Sequence, residues 1–313
     1  MSCRHCRPIR SSVLDVRGRH SLRSHRRITR TSYRRTDGAK PTKMAGMRRL
    51  PLVTLAAVGV WTIGGLLLDR HVGQSGQFAL GLLTVGVLAG LLALHPRIVG
   101  LQTLAVIVIA TVGEVVGSIV WGLYTYRLEN LPAFVPPGHG LVYLAGFSLA
   151  ALMRDRATVL LVTAGAAAAV WGIAGVSVLP TPDASGTIGC AFLIGVLVLA
   201  RRPVYAGVFM VVLVLELYGT ALGTWTWQSE VPGLGLSQGN PPSGVASGYV
   251  VFDVLALALV ARLSGVGAAL QSMRARRAAA STVVPASISP RAESTLSQTS
   301  QSRNPRALPS PST

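Results

Sequence analysis

This chain is short of the features on which a soluble enzyme is normally built. Only 13% of its 313 residues are charged, too few for an ordinary water-exposed surface. The three cysteines supply no disulfide framework, because Cys190 sits in an apolar run while Cys3 and Cys6 share a polar tail. No HExxH, GxSxG, Walker or GxGxxG pattern occurs, which argues against metalloproteolysis, acyl transfer by a nucleophile elbow and ATP use. Acidic residues are scarcer still, 11 against 29 Lys and Arg, but the basic excess is no nucleic-acid footprint: 15 of those cations lie in 1–49 and seven in 262–313. The expectation is no nucleic-acid partner, no metal and no cofactor.

What is present is hydrophobic. Half the residues are apolar, mean hydropathy is +0.51, and apolar runs near twenty residues long recur, which is the composition of an integral membrane protein. The spacing predicts eight spans, at Leu50–Leu68, Phe78–Leu94, Ile98–Tyr124, Gly140–Met153, Ala157–Leu179, Thr187–Ala200, Val204–Trp225 and Val245–Ala261. Basic residues fall on every second connection: Arg48 and Arg49, His95 and Arg97, Arg154 and Arg156, Arg201 and Arg202, then Arg262 with Arg274, Arg276 and Arg277. By the positive-inside rule this places both termini in the cytoplasm of a multi-pass cell-membrane protein.

Residues 1–46 are Arg- and Ser-rich with no apolar period, and 263–313 turn rich in Ser, Pro and Ala, so both are expected to be disordered tails. Cys3, His5 and Cys6 have the residue types of metal ligands but lack a four-ligand framework. Met44 and Met47 precede an ordinary membrane-protein start, so the arm before them is expected to be dispensable.

One stretch occurs twice. Glu114 to Tyr143 reads EVVGSIVWGLYTYRLENLPAFVPPGHGLVY, and from Glu216 the chain reads ELYGTALGTWTWQSEVPGLGLSQGNPPSGVASGY. Glu114 and Gly117 match Glu216 and Gly219; Gly122, Tyr124 and Tyr126 match Gly223, Trp225 and Trp227; Tyr143 matches Tyr249. With the similarity of Val53–Gly65 to Val162–Gly175, the pattern predicts two four-helix repeats, 47–156 and 157–262. Since four is even, the repeats share one orientation, related by an axis along the membrane normal. The expected fold is therefore all-α and integral to the membrane, two parallel four-helix repeats between disordered tails.

An ionised side chain facing lipid costs roughly 2.5–3.5 kcal/mol on insertion scales, so Glu114 and Glu216 are expected to point inward. Gly117 and Trp121 lie three and seven residues beyond Glu114, on the same helical face, as Gly219 and Gly223 do beyond Glu216. Tyr124 with Tyr126, and Trp225 with Trp227, end their helices where an interfacial aromatic belt belongs; if the chain becomes extended there, each pair puts both rings on one side and walls the carboxylates. Arg127, Asn240 and Tyr249 complete the expected substrate contacts. His139, at a helix start, has the character of a donor or base near neutral pH, and Asp253 is a third intramembrane carboxylate whose counterpart is Phe147.

The E-x-x-G…G-x-[YW]-x-[YW]…P pattern resembles, over about 30 residues in each half, the membrane carotenoid hydratases and lycopene cyclase domains. Overall the chain looks like uncharacterised bacterial multi-pass membrane proteins. The resemblance implies that Glu114 and Glu216 protonate a polyene double bond while aromatic rings stabilise the cation. Three classes stay open: an enzyme acting on an isoprenoid or other lipid with Glu114, Glu216, His139 and Asp253 as acid–base groups; a transporter or flippase using the same carboxylates; and a scaffold without chemistry. Membrane lipid and a hydrophobic small molecule are the expected partners.

The alternating cations yield a test of topology. Single cysteines at Ser185 and Ser237 should react with an impermeant thiol reagent added outside the cell, and cysteines at Arg154 and Arg201 only after the membrane is opened. Labelling of position 154 from outside would overturn the orientation.

Overall fold

The computed structural model describes residues 41–281 apart from Pro180, and the tail segments 1–40 and 282–313, with Cys3, His5 and Cys6, lie outside the described residues. The chain is mostly helical. Helices run at Pro41–Asp69 (α1), Gln74–Leu94 (α2), Arg97–Glu114 (α3), Val135–Leu152 (α4), Ala157–Ser177 (α5), Ala184–Ala200 (α6), Pro203–Leu222 (α7) and Ala246–Ser281 (α8). Seven of them are long and apolar enough to cross a membrane; α6 is apolar but has 17 residues, short of the length expected of it.

Several boundaries differ from the spacing-based expectation. The first and last helices extend to Pro41 and Ser281, beyond the apolar runs and into the segments assigned to the tails. Two expected spans stop early. Backbone after Glu114 widens into a π-helical turn, Val115–Val120, and then leaves the helix, while α7 ends at Leu222. The fold is also not purely helical. Strands β1 (Tyr124–Tyr126) and β2 (Trp225–Trp227) pair antiparallel, as do β3 (Glu230–Val231) and β4 (Leu236–Ser237). Gly122 and Gly223 make the exits from helix to strand possible: both hold φ near +70° (72° and 71°), a left-handed turn that costs glycine little and a side-chain-bearing residue more.

Packing centres on four helices. α3 lies against α4 and α8, and α7 lies against α4 and α8; α1 covers α4, α5 covers α7, and α5 and α6 pair with each other. Of the apolar stretch of α4, 61% is buried against 17% for that of α1, so α4 is the innermost of the spanning helices and α1 an outer one. The outward faces carry Val60, Leu82, Val108 and Val170, all exposed, which suits contact with lipid rather than water.

Three polar anchors hold the connections that shape the centre. Asp183, fully buried at the start of α6, accepts from the backbone N–H groups of Gly186, Gly239 and Ser243 at 3.0, 2.9 and 2.6 Å, fixing the loop that leads into α8. Arg127 donates to the Asp69 carboxylate at 3.4 Å, to the Val72 carbonyl at 2.7 Å and to the Asp69 carbonyl, which ties the end of β1 to the α1–α2 connection. Gln238 Nε2 donates to the Leu123 carbonyl at 3.1 Å and the Gln228 carbonyl at 3.2 Å, joining the β3–β4 hairpin to the strand pair.

The α4–α7 crossing depends on backbone proximity. A Cβ at Gly207 would stand 2.2 Å from the Gly146 carbonyl oxygen, and one at Gly146 would stand 2.6 Å from the Val208 backbone, so neither helix can carry a side chain there without moving apart. Gly207→Ala should therefore destabilise the folded protein by about 1–3 kcal/mol, the usual cost of overpacking a tight core. A thermal melt in detergent checks this against Gly86→Ala, where a Cβ meets nothing within 4 Å and the melting temperature should stay put.

Candidate functional site

The similar stretches that begin at Glu114 and Glu216 have a direct structural meaning. Glu114 sits at the end of α3, and three residues on, Gly117 leaves room for the Tyr124 ring to fold back over the helix: a Cβ there would be 3.3 Å from that ring. Tyr124 Oη then donates to Glu114 Oε2 at 2.5 Å. In α7 the same device uses tryptophan. A Cβ at Gly219 would be 2.1 Å from the Trp225 ring, and with glycine there Trp225 Nε1 donates to Glu216 Oε2 at 2.9 Å. The glycine is thus the clearance that lets an aromatic donor reach a carboxylate one turn away.

The strands bring the two assemblies together. In the ladder Tyr124 faces Trp227, Thr125 faces Thr226 and Tyr126 faces Trp225. Because side chains alternate across a strand, the four aromatic residues fall on one side and the two threonines on the other. Tyr124, Tyr126 and Trp225 are buried while Thr125 and Thr226 are exposed. Tyr124 and Trp227 have ring centroids 4.4 Å apart, and Tyr126 meets Trp225 edge-on at 6.3 Å.

Beneath this aromatic layer lies a cavity of about 230 Å³. Glu114, Glu216, His139, Tyr124, Tyr126, Trp225, Trp227 and Tyr249 all line it. Glu114 takes a second phenol, Tyr126 Oη at 2.6 Å, on Oε2, while its Oε1 meets His139 Nε2 at 2.8 Å. The His139 ring lies against Tyr249, 4.9 Å away, and edge-on to Phe252. Glu216 has fewer partners: besides Trp225 it accepts only from Tyr249 Oη, at 3.2 Å. Trp227 Nε1 is buried close to it, outside the geometry of a full hydrogen bond. Both carboxylates are almost fully enclosed, 6% and 2% exposed.

Four expected site residues lie elsewhere. Trp121 is 44% exposed and donates from Nε1 to the Pro232 carbonyl at 2.9 Å. The π-helical turn explains this, since a wider turn rotates residue 121 off the face that a regular helix would give it. Arg127 is taken up by Asp69 and Val72, and Asn240 Oδ1 accepts from the Trp227 backbone N–H at 3.1 Å, supporting the strand. Asp253 is buried, with Oδ2 unpartnered, but it turns away from the cavity, whose wall at that level is Phe252. Conversely, Trp61 and Thr84 of the first two helices line the cavity, with Trp61 Nε1 donating to Thr84 Oγ1 at 3.2 Å, and so does Phe134. A tryptophan one helical face from Gly65 was the available signal; nothing local in the sequence marks Thr84.

Compared with family models, curated proteins and solved structures, the chain matches none. A histidine, three phenols and an indole converge on two buried carboxylates inside a largely apolar chamber, an arrangement able to hold and pass protons to a bound molecule.

Burial, and after it the charge of Glu114, raise the phenols of Tyr124 and Tyr126 above the ordinary tyrosine value of about 10. The folded state therefore holds these protons more tightly than the unfolded state. The stability this confers is complete below about pH 10 and is lost as pH rises above it. In an alkaline absorbance titration, Tyr124→Phe should leave the tyrosinate signal of the folded protein unchanged, because that phenol does not contribute to it. The fall in melting temperature above about pH 10 should also be shallower in the variant.

Proposed function

We propose that this is an integral enzyme of the cell membrane, with eight spans, cytoplasmic termini and two parallel four-helix repeats, whose central cavity performs acid–base chemistry on an isoprenoid or other hydrophobic molecule. One observation carries the reading: the two intramembrane glutamates and the aromatic pairs around them line a single cavity. The repeat reading is supported by the β1–β2 register, in which Tyr124 meets the counterpart of Tyr126 and Tyr126 meets the counterpart of Tyr124, as a two-fold relation requires.

The hydrogen bonds suggest a division of labour. Glu216, held by two neutral donors, is the proton donor; Glu114, with both oxygens occupied by Tyr124, Tyr126 and His139, is the acceptor. A proton from Glu216 adds to one carbon of a double bond, and the cation formed on the other carbon is faced by the rings of Tyr124 and Trp227. A neighbouring C–H then loses its proton to Glu114, leaving a shifted double bond; where a second double bond of the same molecule first attacks the cation, a ring C–C bond forms and the new cation loses its proton to Glu114 instead. One proton enters and one leaves, so the step needs no oxidant, water or cofactor. A transporter would use the same residues, and the π-helical turn directly after Glu114 is the feature on its side, whereas α7 continues regularly past Glu216 to Leu222. A scaffold has no use for a chamber lined by carboxylates.

Lipid extracts of cells with and without the chain, compared by mass spectrometry, should differ in an isomerised or cyclised species of unchanged elemental composition. Glu216→Gln and Glu114→Gln should each lower its formation about 100-fold or more, the ordinary weight of a general acid or base. An unchanged lipid profile, or Gln variants with full activity, would overturn this reading.

A further inference from the structure

The two carboxylates differ in one respect that bears on what the cavity takes. Glu114 has an imidazole at 2.8 Å, a group able to carry positive charge. Glu216 has none: its partners are an indole N–H and a phenol, both neutral, and among the described residues no Lys or Arg lines the cavity. A carboxyl group enclosed to this extent with only neutral donors either keeps a proton or takes a cation, since an unpaired buried charge is too costly. The surrounding wall restricts which cation. Hard metal ions require a shell of oxygens, whereas the faces presented here are the rings of Trp61, Tyr124, Trp225, Trp227, Tyr249 and Phe252. Among the described residues no cluster of three His, Cys, Asp or Glu groups able to hold a metal exists. Aromatic faces around a carboxylate are the arrangement that recognises alkylated ammonium groups.

We propose that the cavity binds a hydrophobic organic cation of the ammonium class, seated on the Tyr124 and Trp227 rings with Glu216 as its counter-ion. Binding exchanges the cation for the carboxyl proton of Glu216, which is released to water. This rests on the reading of the cavity as a ligand site and sharpens it: an ammonium group is the stable equivalent of the positive charge that protonation of a double bond creates, so the site favours ligands that carry or develop such charge next to an apolar body.

The test uses the purified full chain in detergent and two probes of nearly identical shape, benzyltrimethylammonium and its uncharged carbon isostere neopentylbenzene, with binding followed by tryptophan fluorescence. The ammonium should bind at least about tenfold more tightly than the isostere, and a pH indicator in weakly buffered solution should report close to one proton released per cation bound. Glu216→Gln should weaken ammonium binding by about tenfold or more and abolish the proton release, whereas Gly86→Ala, outside the cavity, should preserve both. Trp227→Leu should weaken binding and Trp227→Phe should retain it, which keeps the test decisive if Glu216→Gln fails to fold. Equal binding of both probes, or wild-type ammonium affinity in the Glu216 and Trp227→Leu variants, would overturn the proposal. Failure of the enzyme reading shows in the lipid profile instead: ammonium binding with proton release in a protein that leaves cellular lipids unchanged would discard the enzyme and keep the cation site.

Discussion

A carboxylate inside an apolar helical bundle is tolerated only when donors reach it, and the centre of this molecule is built around supplying them twice. The donors come from the strands that follow the glutamate-bearing helices, so each helix must end soon after its glutamate and the chain must turn back. Gly122 and Gly223 allow the turn; Gly117 and Gly219 clear the path for the returning ring. Once Tyr124, Tyr126 and Trp225 point back at the carboxylates, the two strands lie edge to edge and their backbone hydrogen bonds are satisfied by each other. The short sheet is therefore a consequence of burying charge, and the cavity is the space the returning rings enclose.

The outer connections serve the same arrangement from a distance. Asp183 uses three backbone N–H groups to hold the loop before α8, and α8 carries Tyr249 to Glu216. Arg127 anchors the strand pair to the start of α2 through Asp69, which itself accepts from Gln77 Nε2 at 2.7 Å. The crossing of α4 and α7 at Gly146 and Gly207 brings the helix bearing His139 close to the helix bearing Glu216. At Asp183 and Asp69 a buried carboxylate is matched by donors from segments remote in sequence, and at the α4–α7 crossing backbone proximity serves instead, which together convert local chain geometry into a defined chamber.

Membrane character was legible in the chain because long apolar runs leave little else for most of these helices to do, and the glutamates were legible as inward-facing because lipid penalises the alternative. The aromatic pairs could be placed beside them because a period of two aligns both rings in extended chain, and the backbone is extended at both pairs. What could not be read depends on tertiary contact. A regular helical period put Trp121 with Glu114, but the π-helical turn at Val115–Val120 redirects it to the Pro232 carbonyl. Arg127 and Asn240 were polar residues next to a candidate site, and only the fold shows that Asp69 and the Trp227 backbone claim them. Of the wall formed by Trp61 and Thr84, Trp61 has Gly65 nearby as a sequence signal, while no local pattern singles out Thr84.

The matched positions do not have matched chemistry, and this difference carries the argument from architecture to mechanism. At the positions of Tyr124 and Tyr126 the second half has Trp225 and Trp227, so two phenols, each able to donate or accept, are replaced by two indoles that only donate. One indole reaches Glu216 and the other stays outside the geometry of a full hydrogen bond, while His139, which meets Glu114, has no counterpart in the second half. Two helices with correspondingly placed glycines thus deliver one carboxylate saturated by three partners, one of them able to carry charge, and another supported by two neutral donors. A symmetric pair would compete for the same proton state; an asymmetric pair in one chamber can give a proton at one end and receive it at the other. The exchange of tyrosine for tryptophan, together with a histidine present in one half alone, creates that asymmetry.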